Sequence, residues 1–210
     1  MRVSRQKAEE NRERILKAAS RLFRERGIDA SGVDDVTKAA GLTHGGFYRH
    51  FDSKEALVAE AVELALSASA KRWRKHADGV ASEEALGALV ARYLSREHRD
   101  SPGRGCPLSA LGSEVTHQPK SVRRSFTKGL MEMLNVLEDL SPDEDPAKRR
   151  DRAVLTLVSL IGAIIMARAV ENSDFSTLIL STVSKELAVL PLTRKRIKTT
   201  GRSAISHGQR

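Results

Sequence analysis

Apolar side chains recur along this chain at the three- and four-residue spacing of helices that are buried on one face. In the first predicted helix, which begins at residue 4 or 6 and ends near residue 26, Ile15, Ala18, Leu22 and Phe23 share such a face. No segment shows the two-residue alternation of a strand. The pattern therefore predicts an all-α chain of about nine helices, and the other eight cover residues 31–40, 44–50, 53–74, 82–94, 107–116, 120–140, 147–171 and 174–190.

Glycine and small polar residues mark where the early helices begin and turn. The Ser-Gly-Val-Asp run at 31–34 offers a capping box for the second helix, and Gly41 makes a tight turn after it. Thr43 and Ser53 are placed to cap the third and fourth helices. Two short helices around a glycine turn are the layout of a helix-turn-helix, whose second helix lies in the DNA major groove.

Residues 33–54, VDDVTKAAGLTHGGFYRHFDSK, resemble position by position the DNA-binding domain of the tetracycline-repressor (TetR) family, and the resemblance covers about the first quarter of the chain. It implies a three-helix helix-turn-helix domain at 1–54 that continues into the fourth helix. It also implies a helical ligand-binding and dimerisation domain at 55–190, followed by a basic tail at 191–210. The implied partner is double-stranded DNA, bound at a palindromic operator.

The start of the third helix carries the first group of candidate DNA contacts. Thr43 can accept a backbone N–H at the helix start and can also donate to a phosphate. His44 offers polar reach toward a base edge. Gly45 and Gly46 weaken a helix, so we interpret them as allowing close approach to the groove, with a flexible loop as the other interpretation.

The second group follows the glycines. Tyr48, His50 and Lys54 resemble the phosphate-contacting positions of the family, and Lys54 also lies at a helix N-terminus, where anions bind. Arg49 could reach a guanine edge or a phosphate, or it could simply be solvated. Phe51 is expected to close the small core rather than touch DNA, and the same holds first for Phe47.

Two departures from the common family pattern bear on this unit. Thr37 stands where alanine is usual and adds a hydroxyl near the contact between the helices. Asp34 and Asp35 make the first turn of the second helix acidic, which suits the helix dipole but does not favour phosphate binding.

The net charge of +9 is concentrated at the two ends of the chain. Residues 1–55 hold twelve Lys and Arg against nine Asp and Glu, whereas residues 56–190 hold eighteen of each. Residues 191–210 hold six basic and no acidic residues. We expect this tail to be solvated and disordered, and phosphate contact is the alternative.

The predicted eighth helix is apolar on nearly every face, so we expect it to be buried against its own core and against a second copy of the chain. The alternative is the central core helix of a monomer. A palindrome needs two recognition helices about 34–36 Å apart, which favours a homodimer. The resemblance implies an interface built from the last two helices, and the expected residues are Leu157, Ile161, Ile164, Ile165, Leu178, Ile179 and Val183.

We expect a small-molecule effector to bind among the fourth to eighth helices, and the scarcity of buried charge favours an apolar or amphipathic one. Cys106, between Arg104 and Pro107, is predicted to lie at a helix N-terminus with a lowered thiol pKa, as in an electrophile or oxidant sensor. The alternative is a small packed residue. The candidate pocket and sensor residues are Cys106, Trp73, Tyr93, Leu108, Leu111, Phe126, Leu130, Met133 and Met166.

The sequence shows no constellation of an enzyme, cofactor or metal site: it has no glycine-rich phosphate loop, HExxH pair or CxxC, and its six histidines lack ligand spacing. One cysteine and no apolar leader predict a cytoplasmic protein, and the apolar stretch at 154–167 is too short for a membrane span. We therefore expect a ligand-responsive transcriptional regulator, and a repressor rather than an activator. It would be released by an effector or by modification of Cys106. A non-specific nucleoid-type DNA-binding protein and a helical interaction adaptor are the alternatives.

Overall fold

A computed structural model describes residues 5–141, 143 and 145–189 of the chain. Within these residues every regular element is helical, as the hydrophobic pattern predicts. The basic tail predicted at 191–210 lies outside the described residues. The α-helices are α1 (Arg5–Arg26), α2 (Val33–Ala39), α3 (His44–Phe47), α4 (Lys54–Ala77), α5 (Ser82–Tyr93), α6 (Arg96–Asp100), α7 (Pro107–Leu111), α8 (Lys120–Asp139), α9 (Pro146–Ala169) and α10 (Ser173–Val189). Short 3-10 turns occupy Pro102–Arg104 and Glu114–His117.

The helices differ from the sequence prediction at several points. The predicted helix at 107–116 is divided into α7 and a 3-10 turn, and α3 ends at Phe47 because the chain closes there in a turn. Both His50 and Phe51 donate their backbone N–H to the Phe47 carbonyl in this turn. The polar helix α6 was not predicted, and Ser95 caps it by accepting the His98 N–H at 3.1 Å.

The start of α2 also differs from its predicted cap. Gly32 rather than Ser31 is the N-cap, and the Asp35 carboxylate accepts the Gly32 N–H at 3.1 Å. Ser31 is buried instead and donates its hydroxyl to the Gly27 carbonyl at 2.8 Å. Gly27 ends α1 with φ +93°, a conformation that glycine adopts without strain.

The first three helices close a small core against α4. Phe47 and Phe51 are buried, as predicted, and their rings stack at a centroid distance of 5.6 Å. Ile15 and Phe23 of α1 and Leu57 of α4 are fully or almost fully buried in the same core. This core fixes α3 at one end of the long helix α4.

The remaining helices build a body in which α4 packs along α8, and α9 packs on α7, α8 and α10. At Gly129 of α8 an added Cβ would collide with the Leu66 side chain of α4, so the two helices approach closely there. Helix α9 has 24 residues and is longer than the apolar stretch that the sequence indicates. By length and composition alone it could cross a membrane, but its inner side is buried in the protein core.

Candidate DNA interface and effector cavity

The turn between α2 and α3 is held by backbone hydrogen bonds. Gly41 has φ +67°, and its N–H donates to the Lys38 carbonyl at 3.0 Å. The Leu42 N–H donates to the Thr37 carbonyl at 2.9 Å. The buried Thr37 hydroxyl donates to the Val33 carbonyl at 3.0 Å, so its extra polar group is satisfied within α2.

All eight residues predicted to contact DNA lie in α3, at its two ends or in the first turn of α4, and each is at least partly exposed. Thr43 is the N-cap of α3, as predicted, but its side chain makes no capping hydrogen bond in the described structure. Tyr48 is 59% exposed, and its ring lies 5.5 Å from the ring of His44 between centroids. The fully or largely exposed members are Thr43, His44, Gly45, Tyr48 and Arg49, and the half-buried ones are Gly46, His50 and Lys54.

Neither glycine in α3 is required by the packing of the protein itself. A Cβ added at Gly45 would meet no described atom within 4 Å, and one added at Gly46 would lie 3.7 Å from the Thr43 hydroxyl, an ordinary contact. Neither residue has a positive φ. The pair therefore lowers helix stability without an intramolecular reason.

Charged partners surround this helix. The Nδ1 atom of His44 contacts the Asp34 carboxylate of α2, so the side chain with polar reach toward bases already has a partner within the protein. Burial lowers the pKa of His50, and the neighbouring Arg12 and Arg49 lower it further. Arg12 donates to Glu60 at 2.5 Å and lies 4.8 Å from the Phe51 ring centroid, which ties α1 to α4 beside α3.

A cavity of about 370 Å³ opens between α4, α5, α6 and the loop before α7. Trp73, Tyr93 and Cys106 line it, as predicted. The other predicted pocket residues lie elsewhere: Leu108, Leu111 and Met133 are fully buried in the core, Phe126 and Leu130 pack half-buried against it, and Met166 is exposed on α9. The side chains that line the cavity are Ser69, Arg72, Trp73, His76, Leu89, Arg92, Tyr93, Ser95, Glu97, His98, Ser101, Arg104 and Cys106, with Gly105.

Cys106 occupies the N-cap of α7, as predicted, but its thiol is not activated in this state. Burial raises the thiol pKa, against smaller opposing effects from Tyr93, from α7 and from Arg72. The expectation of a lowered pKa is therefore wrong here, because burial outweighs the helix N-terminus. The Tyr93 hydroxyl approaches the thiol but makes no hydrogen bond of ordinary geometry in the described structure.

The His98 ring links two parts of the cavity wall by hydrogen bonds that fix its tautomer. The Cys106 backbone N–H donates to its Nε2 at 2.9 Å, so Nε2 carries no proton, and Nδ1 donates to the Tyr93 carbonyl at 2.6 Å. Burial lowers the pKa of His98. A neutral imidazole thus joins α5 to the residue that begins α7.

Comparison with known proteins decides which family the helix-turn-helix represents. Residues 15–61 match the sequence profile of the family described as "Bacterial regulatory proteins, tetR family". Residues 15–61 therefore carry a TetR-type helix-turn-helix DNA-binding domain. Like the relatives below, TetR-family proteins are transcriptional regulators rather than enzymes. Within the described residues no cluster of three or more His, Cys, Asp or Glu could hold a metal ion.

The TetR-family relatives cover different parts of the chain. It is 41% identical over 134 residues to HTH-type transcriptional regulator AcrR of Shigella flexneri, which aligns 63% of this chain with 52% of AcrR. It is also 41% identical over 80 residues to HTH-type transcriptional repressor KstR2 of Rhodococcus jostii, across 38% of this chain and 39% of KstR2. The chain thus spans about half or less of these two relatives.

Solved structures extend the similarity over most of the chain. The crystal structure of reduced Escherichia coli NemR has a TM-score of 0.72, 20% sequence identity, and a match covering 84% of this chain and 94% of that chain. A TetR-family regulator of Chloroflexus aurantiacus also has a TM-score of 0.72, with 24% identity over 88% of this chain and 95% of that chain. These structures show a shared fold.

A set of contacts that the sequence did not reveal joins the TetR-type DNA-binding end to the cavity wall. Arg24 of α1 donates twice to the Gly103 carbonyl, at 2.9 and 2.6 Å, and burial together with Arg72 lowers its pKa to about 10. The Ile28 N–H donates to Glu114 at 2.6 Å. The partners are 79 and 86 residues apart in the chain, and the local sequence around Arg24 or Glu114 does not indicate a distant partner. We call the Arg24–Gly103 and Ile28–Glu114 contacts the α1 latch.

The last two helices expose large apolar side chains on one side of the molecule. Among the residues predicted for a dimer interface, Leu157 and Ile164 lie inside the protomer core, because α9 turns them toward its own body. Leu178 is exposed, whereas Ile161, Ile165, Ile179 and Val183 are half-buried. Leu178 and five exposed residues that were not predicted for the interface form what we call the outer apolar face. Its members are Val154, Leu155, Val158, Met166, Phe175 and Leu178.

Proposed function

We propose that the chain is a ligand-responsive transcriptional repressor that binds a palindromic operator as a homodimer. The main support for DNA binding comes from α3. Its polar side chains are accessible, and they surround two glycines that no intramolecular contact requires. A backbone without side chains can approach the groove closely, while Tyr48, His50 and Lys54 reach phosphates. A repressor of this kind acts in the cytoplasm, where bacterial operator DNA lies.

The outer apolar face supports the homodimer. Each of its members is at least 43% exposed, and the group lies on two packed helices. Contiguous apolar patches of this kind mark interaction surfaces, and a second copy of the chain brings two α3 helices to one palindrome. Because Leu157 and Ile164 are buried in the protomer, they would support this interface from below rather than form it.

The α1 latch supports a route from the cavity to the DNA. The loop at 101–105 forms part of the cavity wall, and it also carries the Gly103 carbonyl that Arg24 contacts. An effector that favours another position of this loop would favour another position of α1, and thus of α3. A changed spacing between the two α3 helices loses phosphate contacts, which releases DNA at cellular salt.

Cys106 provides a second input to the same loop. Its protonated thiol faces the cavity, so an electrophile that enters the cavity would react slowly until the thiol is deprotonated. An adduct would then enlarge a side chain that is buried in the present state, and the Cys106 N–H bond to His98 would be strained. Modification of Cys106 would therefore act through the same loop as a bound effector.

The test is fluorescence anisotropy of the purified protein on its own upstream intergenic DNA and on scrambled DNA at physiological salt. We expect tight binding to the native fragment alone, and release of that fragment by N-ethylmaleimide in the wild type but not in a Cys106→Ser variant. Equal weak binding to both DNAs would favour a non-specific nucleoid-type protein, the second candidate, to which the six basic residues of the tail lend support.

A further inference from the structure

The cavity wall concentrates arginines that have no carboxylate partner. Among the described residues, none of the five arginines in or directly behind this wall has an ion pair within 4.0 Å, although five other arginines of the chain do. Those in the lining are Arg72, Arg92 and Arg104, and those behind it are Arg24 and Arg168. Arg72, Arg92 and Arg104 are exposed, so their guanidinium groups are accessible to an anion that enters the cavity.

The two arginines behind the wall donate their hydrogen bonds to neutral acceptors rather than to carboxylates. Arg24 is bound only to the Gly103 carbonyl and a serine hydroxyl, and Arg168 donates to the carbonyls of Arg99 and His98 at 2.9 and 2.8 Å. Burial is the largest effect on both guanidinium groups and lowers their pKa, against smaller opposing effects of Glu25 on Arg24 and of Asp100 on Arg168. Elsewhere, partly buried arginines pair with acids, as in Arg12–Glu60, Arg150–Glu138 and Arg152–Asp143.

The lining itself carries more positive than negative charge. Glu97 is the one acidic side chain in the described lining, against three arginines. His98 is held neutral by its two hydrogen bonds, and so does not change this balance near neutral pH. Arg72 donates to the Ser69 hydroxyl at 2.8 Å, which leaves donors of its guanidinium available to a ligand.

The same cavity also offers a flat apolar surface. Trp73 and Tyr93 meet edge to face with ring centroids 5.8 Å apart, and Leu89 lies beside them in the lining. A volume of about 370 Å³ suits a molecule with one or two rings. Aromatic walls and arginine forks together recognise aromatic acids, because the ring packs while the guanidinium binds two oxygens.

We propose that the cavity binds a small organic anion, with its carboxylate or sulfonate on Arg72, Arg92 or Arg104 and its flat body against Trp73 and Tyr93. This rests on the proposed function, in which the cavity holds the effector, and it narrows the apolar or amphipathic effector expected from the sequence to an amphipathic anion. Arg104 directly follows Gly103, so an anion that draws Arg104 toward the cavity acts on the segment that carries the α1 latch.

Trp73 is the single tryptophan of the chain, and its fluorescence therefore reports on this cavity alone. The test titrates the full-length protein with 4-nitrobenzoate and with 4-nitrobenzamide, a quencher of the same shape without charge, and free tryptophan amide corrects for absorbance. We expect the anion to bind at least about tenfold more tightly than the amide, and inorganic phosphate to leave the fluorescence unchanged.

Variants then locate the anion. Arg72→Gln and Arg104→Gln are each expected to weaken 4-nitrobenzoate about fivefold or more without changing the amide. Arg74→Gln is the matched control. Arg74 lies on the same helix as Arg72 but outside the cavity lining, and its substitution removes the same positive charge. Equal affinity for acid and amide, no quenching by the acid, or equal weakening by the Arg74 variant would overturn the proposal.

The DNA assay separates this proposal from the one on which it rests. Anions that quench Trp73 but never release operator DNA would leave the ligand class standing and overturn the effector role. Release of DNA by 4-nitrobenzamide and not by 4-nitrobenzoate would support the effector role of the cavity and overturn the proposal that its ligand is an anion. Absence of specific operator binding would remove the proposed function, while the quenching data would still decide which ligands the cavity accepts.

Discussion

Replacing Gly45 with alanine separates what α3 needs for folding from what it needs for DNA binding. The residue is exposed, its φ is not positive, and an added Cβ would meet no described atom within 4 Å. In a helix interior, alanine is more stable than glycine by about 0.5–1 kcal/mol. Because α3 has only four residues, we expect the free energy of unfolding to rise by about 0.5 kcal/mol, measured by urea denaturation.

DNA affinity is expected to change in the opposite direction. If the backbone of Gly45 approaches the groove, a methyl group there separates the helix from the bases and strains the neighbouring phosphate contacts. We expect operator affinity to fall about tenfold, equivalent to about 1.4 kcal/mol, in fluorescence anisotropy at fixed salt. Stability and binding would then move apart, which a simple loss of structure cannot produce.

Gly87→Ala is the control for this pair of measurements. Gly87 lies within α5, and an added Cβ there also meets no described atom within 4 Å. The variant should gain a similar stability and leave operator affinity unchanged. If Gly45→Ala is stabilised and binds the operator as tightly as the wild type, the glycines serve no close approach and the reasoning about α3 fails.

Three further outcomes follow from other contacts. Asp34→Asn weakens the contact with His44 and removes a negative charge beside α3, so operator affinity should rise a few-fold by anisotropy; no change would mean that this contact does not limit binding. Val158→Asp places a charge at a side chain that is 62% exposed on the outer apolar face, and sedimentation should show monomers with unchanged helix content; a persistent dimer would place the interface elsewhere. His98 has a lowered pKa in the folded protein, so the unfolded chain binds more protons as the pH falls through 6.5, the ordinary histidine pKa, and the free energy of unfolding should decrease there. In urea denaturation between pH 7.5 and 5.5, His98→Gln should show a smaller decrease of the unfolding midpoint than the wild type.

Most helices could be predicted from the sequence because apolar spacing and caps are local signals. Ser53 illustrates this, since its side chain accepts the Ala56 N–H at 3.1 Å and begins α4 where the sequence indicates. Helix α6 could not be predicted in the same way, because its five residues REHRD bury no side chain and show no apolar period. It is held instead by distant partners, among them the Ser176 hydroxyl that accepts from Arg99 at 2.9 Å.

The candidate sites depended more on tertiary structure. The α3 surface could be predicted because its polar residues lie close together in the chain. The thiol pKa of Cys106 could not, since its neighbours in sequence favour a low value and only the folded protein buries it. Likewise Arg72, Arg92 and Arg104 stand 20 and 12 residues apart, and each alone has the pattern of a solvated surface residue.

The α1 latch is also the contact through which a bound ligand could most readily move α1. It consists of a few hydrogen bonds, one of them to the charged Glu114, and each such bond contributes about 1–3 kcal/mol to the position of α1. A ligand shifts a conformational equilibrium only by its differential affinity for the two states, and about 5.5 kcal/mol moves it from 1:99 to 99:1. Because Arg104 lies beside Gly103, an anion bound in the cavity acts on the same short segment that holds Arg24. A ligand whose affinity for the two states differs by this amount could therefore outweigh the latch, whereas it could not disrupt the large α4–α8 contact that carries the fold.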